Sequence, residues 1–361
     1  MTSQAWAELS NNALAAAMFV YALAMLAHSA EWALARRLVT EVPEGAESRA
    51  ALSVGTGPVV NAAEAPVYAV RQTVPSASDA RQGEASSAQL GVAPESAGGS
   101  SDGEGAERAE QFGRIGLSLT VLGLLLHLVG VVARGVAAER VPWGSMYEFA
   151  ITGSLAVAVA YLVLVLGYGV RWMGLLVTGL LVAVLGVAMV VLYQPVAPLV
   201  AALNSYWIVI HVFAAVISSG AFTMGAISSV LYLKRQRLEA EVTADPHVQR
   251  TGFLWRMPSA AAIDQTSYRV HAFAFPLWTF TVLTGAIWAD EAWGRFWGWD
   301  PKEVWAFITW VVYAAYLHAR ATAGWRGRGA AYIALAGYAT FLFNFVGINL
   351  LGSGLHAYSG M

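Results

Sequence analysis

The stretch M-G-L-L-V-T-G-L-L-V-A-V-L-G-V-A-M-V-V-L-Y, residues 173–193, contains no Asp, Glu, Lys or Arg. A helix of about 20 apolar residues is long enough to cross a bilayer. Comparable runs lie near 13–35, 114–133, 147–168, 206–233, 268–289, 303–320 and 330–351. The chain is therefore expected to be an all-α polytopic membrane protein with about eight transmembrane helices. The composition agrees: of 361 residues, 57% are hydrophobic and 12% charged, about half the charged share of a soluble domain. The first run does not read as a cleaved signal peptide. No Lys or Arg precedes it, and its basic pair, Arg36 and Arg37, follows it.

Basic residues give an orientation. With the N-terminus outside, only Arg134, Arg140, Arg295 and Lys302 lie on the outer side, and the rest of the 21 Lys and Arg fall inside. N-out and C-out is the expected topology, in a plasma or thylakoid-type membrane. Residues 38–110 depart from the pattern. They are rich in Ala, Gly, Ser, Pro and Glu, carry nearly half of the 23 acids, and hold few large apolar residues. Such a segment cannot bury enough surface to offset chain entropy. It is expected to be a disordered cytoplasmic insert between a first helix, 1–37, and a transmembrane domain, 111–361. The basic, polar 234–266 loop is expected to carry a short interfacial helix.

Several functions are excluded at once. There is no Cys, so there is no disulfide framework, Cys zinc site, iron–sulfur cluster or thiol nucleophile. A net charge of −2 gives no reason to expect a nucleic-acid partner.

The informative loop lies between the sixth and seventh runs: W-A-D-E-A-W-G-R-F-W-G-W-D-P-K-E-V-W, residues 288–305. An interfacial aromatic belt explains any single Trp here. It fits poorly with Trp293, Trp297, Trp299 and Trp305 crowded among Gly294, Gly298, Asp300 and Pro301. Asp300-Pro301 with Glu303 is a good helix start: a cap, a Pro at the first helical position, and a carboxylate at the third. The loop reads as an outward aromatic shelf suited to a large, flat, apolar ligand. His211 and His356 flank it in sequence and share its side of the membrane. Either they are axial haem ligands facing each other across a plane, or they are two unrelated interfacial histidines. His318 lies 15 residues past Glu303, about 22 Å along a helix. It either packs in the bilayer or marks a second, deeper site. His28 sits at similar depth, His127 lies nearer the outer side, and His247 and His271 read as structural.

The run from Trp293 to Trp305, W-G-R-F-W-G-W-D-P-K-E-V-W, resembles the tryptophan-rich WWD signature of haem-handling proteins in cytochrome c maturation. These are the CcsA (ResC) proteins and their relatives CcmC and CcmF. P-W-G-S-M-Y-E-F, residues 142–149, and N-F-V-G-I-N-L-L-G-S-G-L-H, residues 344–356, are similar to further segments of that family. Ser145 stands where the family pattern has Asn. An eight-span chain with its signature near the C-terminus looks like the CcsA type. The resemblance implies a cofactor, haem b, and an activity: delivery of haem to apocytochrome c outside the membrane for thioether attachment, within a holocytochrome c synthase (haem lyase) complex. It implies outer haem-iron ligation by His211 and His356, and inner ligation by His318 opposite a ligand from a separate CcsB (ResB)-type partner. Trp293, Trp297, Trp299 and Trp305 would pack on the porphyrin. Asp300 joins this set, though capping the helix is its more natural role. The absence of Cys then has a meaning: the thiols must come from the acceptor's C-x-x-C-H segment. A membrane cytochrome b-type redox subunit, or a CcmC- or CcmF-like protein, is the alternative.

Overall fold

The computed structural model describes residues 1–40, 99–198, 201–245, 253–322, 325–351 and 354–355. The described residues are almost wholly helical. In chain order the long helices are α1 (Ser3–Thr40), α2 (Gly99–Ala138), α3 (Met146–Tyr168), α4 (Gly174–Val190), α5 (Tyr206–Ala244), α6 (Ala260–Trp293), α7 (Pro301–Thr322) and α8 (Arg328–Leu342). A π-helical turn, Phe343–Gly347, carries α8 into a last turn, Ile348–Leu351. The chain divides into two units, Met1–Thr40 with Gly105–Met361, and Glu41–Glu104. Of the second, residues 99–104 are described, as the opening turns of α2.

Seven of these segments are long and apolar enough to cross a membrane, and the chain is a multi-pass, all-α membrane protein. The exception is α7. Its 22 residues reach about 33 Å, enough to span, but Trp305, Trp310, Tyr313, Tyr316 and His318 lower its apolar character. Helices satisfy every internal backbone group, which lipid requires. Hydroxyls follow the same rule. Thr178, Ser218, Ser228 and Ser229 each donate to the carbonyl four residues earlier, at 2.7–3.0 Å. Large apolar side chains such as Leu125, Val132 and Val163 remain exposed, as lipid-facing positions do.

Three helices run further than the sequence suggested. α5 continues to Ala244, through the first third of the expected loop. Leu, Arg, Gln, Glu and Ala are strong helix formers. Two pairs at i,i+4 spacing support them, Arg235–Glu239 at 2.9 Å and Arg237–Glu241 at 3.0 Å. α2 starts at Gly99, and α1 ends at Thr40, so helix covers both ends of the stretch expected to be disordered. Extending an existing helix needs no new nucleus, and Glu104, Ala106, Glu107, Arg108 and Ala109 favour it. The remaining insert, 41–98, and His247 lie outside the described residues.

The interior holds a charged cluster. Glu148, fully buried, accepts from Arg134 at 3.0 Å, Arg140 at 2.7 Å and the Gly144 amide at 2.7 Å. Ser145 caps α3, its hydroxyl accepting from the Glu148 amide at 3.3 Å, a role that Asn fills equally well. His127 is likewise pinned: Nε2 donates to the Ile151 carbonyl at 2.8 Å, and Nδ1 meets the Tyr21 hydroxyl at 3.5 Å. His28 contacts Glu31 at 3.2 Å, and His271 donates to the Ser267 carbonyl at 2.8 Å.

Replacing Glu148 with Ala strands two arginines. The expected loss is about 3–5 kcal/mol, read as a lower unfolding temperature of the detergent-purified chain. Unchanged melting would remove this cluster from the account of the fold.

Candidate functional site

The site is built where α5 meets α6. His211 lies early in α5, and its Nδ1–H donates to the Thr281 carbonyl of α6 at 2.8 Å. A carbonyl can only accept, so in the neutral ring Nε2 keeps its lone pair. The ring fits because residue 285 is glycine. A Cβ there would lie 2.7 Å from both Cε1 and Nδ1 of His211. Trp288 stacks on the imidazole, with centroids 6.1 Å apart and planes 18° apart, and its indole N–H is held by the Ala202 carbonyl at 2.9 Å. Trp293 packs edge-on against Trp288 at 4.8 Å. The imidazole is thus fixed in position, tautomer and tilt.

His211 lines a cavity of about 830 Å³, within the usual range for ligand pockets of about 300–1,000 Å³. Its wall is mainly apolar and aromatic, with Trp143, Phe149, Trp278, Trp288, Trp297 and Phe345 contributing. Lys302 and Glu303 border it from the start of α7, and Asn344 from the π-helical turn. Three buried polar atoms of this wall lack a protein partner: Trp143 Nε1, Glu303 Oε1 and Asn344 Oδ1. Orphaned polar atoms are costly unless a ligand or water meets them. A broad apolar slot with one imidazole lone pair, one ammonium and a few free polar atoms fits a flat, amphiphilic, metal-centred ligand such as haem. No cluster of three His, Cys, Asp or Glu that would hold a bare metal ion occurs among the described residues.

The tryptophan loop is ordered by α7's own cap. Asp300 Oδ1 accepts from the Lys302 amide at 3.2 Å. Glu303 Oε2 reaches back to the amides of Gly298 at 2.8 Å and Asp300 at 3.0 Å. The Glu303 bond to the Asp300 amide is the return half of a capping box, and Asp300 itself caps through the second helical amide. Between them Trp299 is held at φ 59°, uncommon for a bulky residue, and is 69% exposed.

The predicted residues separate in space. Trp297 is in the cavity wall, with Trp299 edge-on to it at 5.9 Å. Trp293 lies behind Trp288. Trp305 packs on Phe343 at 4.3 Å, bracing the π-helical turn that supplies Asn344 and Phe345. Asp300 is 7% exposed and bonded to backbone. His318 is exposed on the same side of α7 as Phe307 and Val311, away from the cavity. His356 lies outside the described residues. The expectation of four Trp lining one surface missed how much of the wall is internal. Trp143 and Phe149 come from the 142–149 run, whose S-x-x-E spacing, Ser145 to Glu148, signals a capped helix start. The π-helical turn leaves no sequence mark beyond Asn344 in an apolar run.

Comparison with known proteins gives a family. The cytochrome C assembly protein family matches residues 124–356. A cytochrome c biogenesis protein CcsA of a Synechococcus strain is 32% identical over 298 residues, covering 68% of this chain and 83% of the relative. Its counterpart in a Picosynechococcus strain is 32% identical over 301 residues, 68% and 87% of the two chains. That of Guillardia theta is 41% identical over 178 residues, 46% and 58%. The family match contains the whole cavity from Trp143 to Val346, its histidine and the tryptophan loop, and the chain belongs to the cytochrome c assembly family as a CcsA-type cytochrome c biogenesis protein.

Proposed function

We propose that the chain binds haem b and presents it to apocytochrome c on the outer side of the membrane, in complex with a CcsB (ResB)-type partner. The observation that carries this reading is His211. Its Nδ1–H is fixed on a carbonyl and its ring is stacked on Trp288, at the wall of an apolar cavity bounded by the tryptophan loop. Iron-binding histidines are oriented by such a bond at the other ring nitrogen.

In this reading His211 and His356 would hold the outer haem iron, and Trp297 and Trp288 would form the adjacent walls. Trp293 and Trp305 support those walls, and Trp299 remains exposed at the loop. Lys302 is the cation available to a propionate. Asp300 holds backbone, capping α7. His318, exposed on α7 beside Phe307 and Val311, would hold the inner haem iron, with the second ligand from the partner. N-out and C-out topology puts the tryptophan loop on the acceptor's side. Haem supplies the vinyl groups. Each thioether bond adds one S–H across one C=C, so a C–S and a C–H bond form with no net change of oxidation state. The thiols are the acceptor's, because this chain has none. Its own contribution is positioning.

Replacing His211 or His356 with Gly should abolish cytochrome c maturation, and added imidazole should restore haem binding in each. Failure of imidazole in both variants would overturn the ligand assignment. Replacing His318 with Gly should lower haem occupancy of the purified complex before any effect on the outer site. Full occupancy would count against a second site. Gly285→Ala places a methyl against the His211 ring and should weaken haem binding about 10–100-fold, measured by haem titration. Wild-type affinity would show that the ring's seat is not needed.

A further inference from the structure

We propose that Asp300 is a positioning residue for the outer ligand, tying the C-terminal arm to the start of α7. The inference rests on the reading of His356 as that ligand. The carboxylate makes two backbone bonds that lead in different directions. Oδ1 accepts from the Lys302 amide at 3.2 Å, capping α7, and Oδ2 accepts from the Leu355 amide at 2.9 Å. The approach of the arm is close. A Cβ on Gly354 would lie 2.5 Å from Oδ2, so only glycine fits before Leu355 without displacing the carboxylate. His356 is the next residue in the chain.

The other side of the tie is the cavity. Trp297 and Glu303 stand three residues either side of Asp300, and both line it. One buried carboxylate therefore sets the register between the ligand-bearing arm and the turn that forms the cavity wall. An anion suits the place: its two acceptor bonds are charge-assisted, and it lies at the positive end of the α7 dipole. The sequence reading counted Asp300 among haem-contacting residues. In this proposal its effect on haem runs through the arm.

Two variants separate the tie from the cap. Asp300→Ser keeps a side-chain oxygen for the helix cap but is too short to reach Leu355. Gly354→Ala leaves the cap residue intact and pushes the arm away. Both are examined in the full chain purified with its partner, beside wild type and His356→Gly. Without haem, exchange of the Leu355 amide hydrogen should accelerate about tenfold or more in each variant. With haem, each should show the absorption spectrum of a lost axial ligand, restored by imidazole, as His356→Gly does. The proposal is overturned if both variants keep wild-type exchange and spectrum while His356→Gly loses its ligand. If His356→Gly itself keeps the wild-type spectrum, the ligand reading fails and the proposal falls with it, even where amide exchange shows that the tie exists.

Discussion

A polar group buried in a membrane protein has no water to turn to, and this constraint organises the molecule. It makes the described chain almost entirely helical. It sends hydroxyls such as Thr178 and Ser218 back onto their own helices. It surrounds Glu148 with two arginines and an amide. It also fixes His127 against the Ile151 carbonyl. The exceptions are therefore informative. Trp143 Nε1, Glu303 Oε1 and Asn344 Oδ1 have no protein partner, and all three belong to the wall of one cavity. His211 enters the same wall with one ring nitrogen spent on Thr281. Other buried orphans, such as His28 Nε2, His271 Nε2 and Tyr313 Oη, lie elsewhere in the helices; the three of this wall differ in bordering an open apolar cavity beside His211.

The spans were legible because apolar length is a one-dimensional property. The runs near 147–168 and 173–193 return as helices Met146–Tyr168 and Gly174–Val190. The start of α7 was legible for a similar reason. Asp300, Pro301 and Glu303 act within one turn, and the structure contains the bonds their spacing implied. What lay beyond sequence was the third dimension. Nothing in the order of residues says that Gly285 seats His211, or that Trp143 and Asn344, far apart in the chain, share a wall. Helix ends were also misplaced where polar residues continue a helix out of the apolar run, as α5 does to Ala244.

The tryptophan loop changed most. Crowded Trp suggested a single flat shelf of equivalent side chains. The structure gives them different tasks: Trp297 in the wall, Trp293 behind Trp288, Trp305 against the π-helical turn, Trp299 exposed at φ 59°. A loop that both walls a cavity and anchors neighbouring elements explains why so much aromatic surface is packed beside one capped helix. Family membership accords with this arrangement, since the match to cytochrome c assembly proteins covers the cavity's helices and the loop together.

The central claim is that the cavity at His211 is a haem site with a histidine ligand on each face. The most direct measurement is the electron paramagnetic resonance spectrum of the wild-type chain purified with its partner and oxidised. The account predicts stoichiometric haem with the low-spin signature of two imidazole ligands. Purification of the intact complex free of haem, or with high-spin iron throughout, would contradict it.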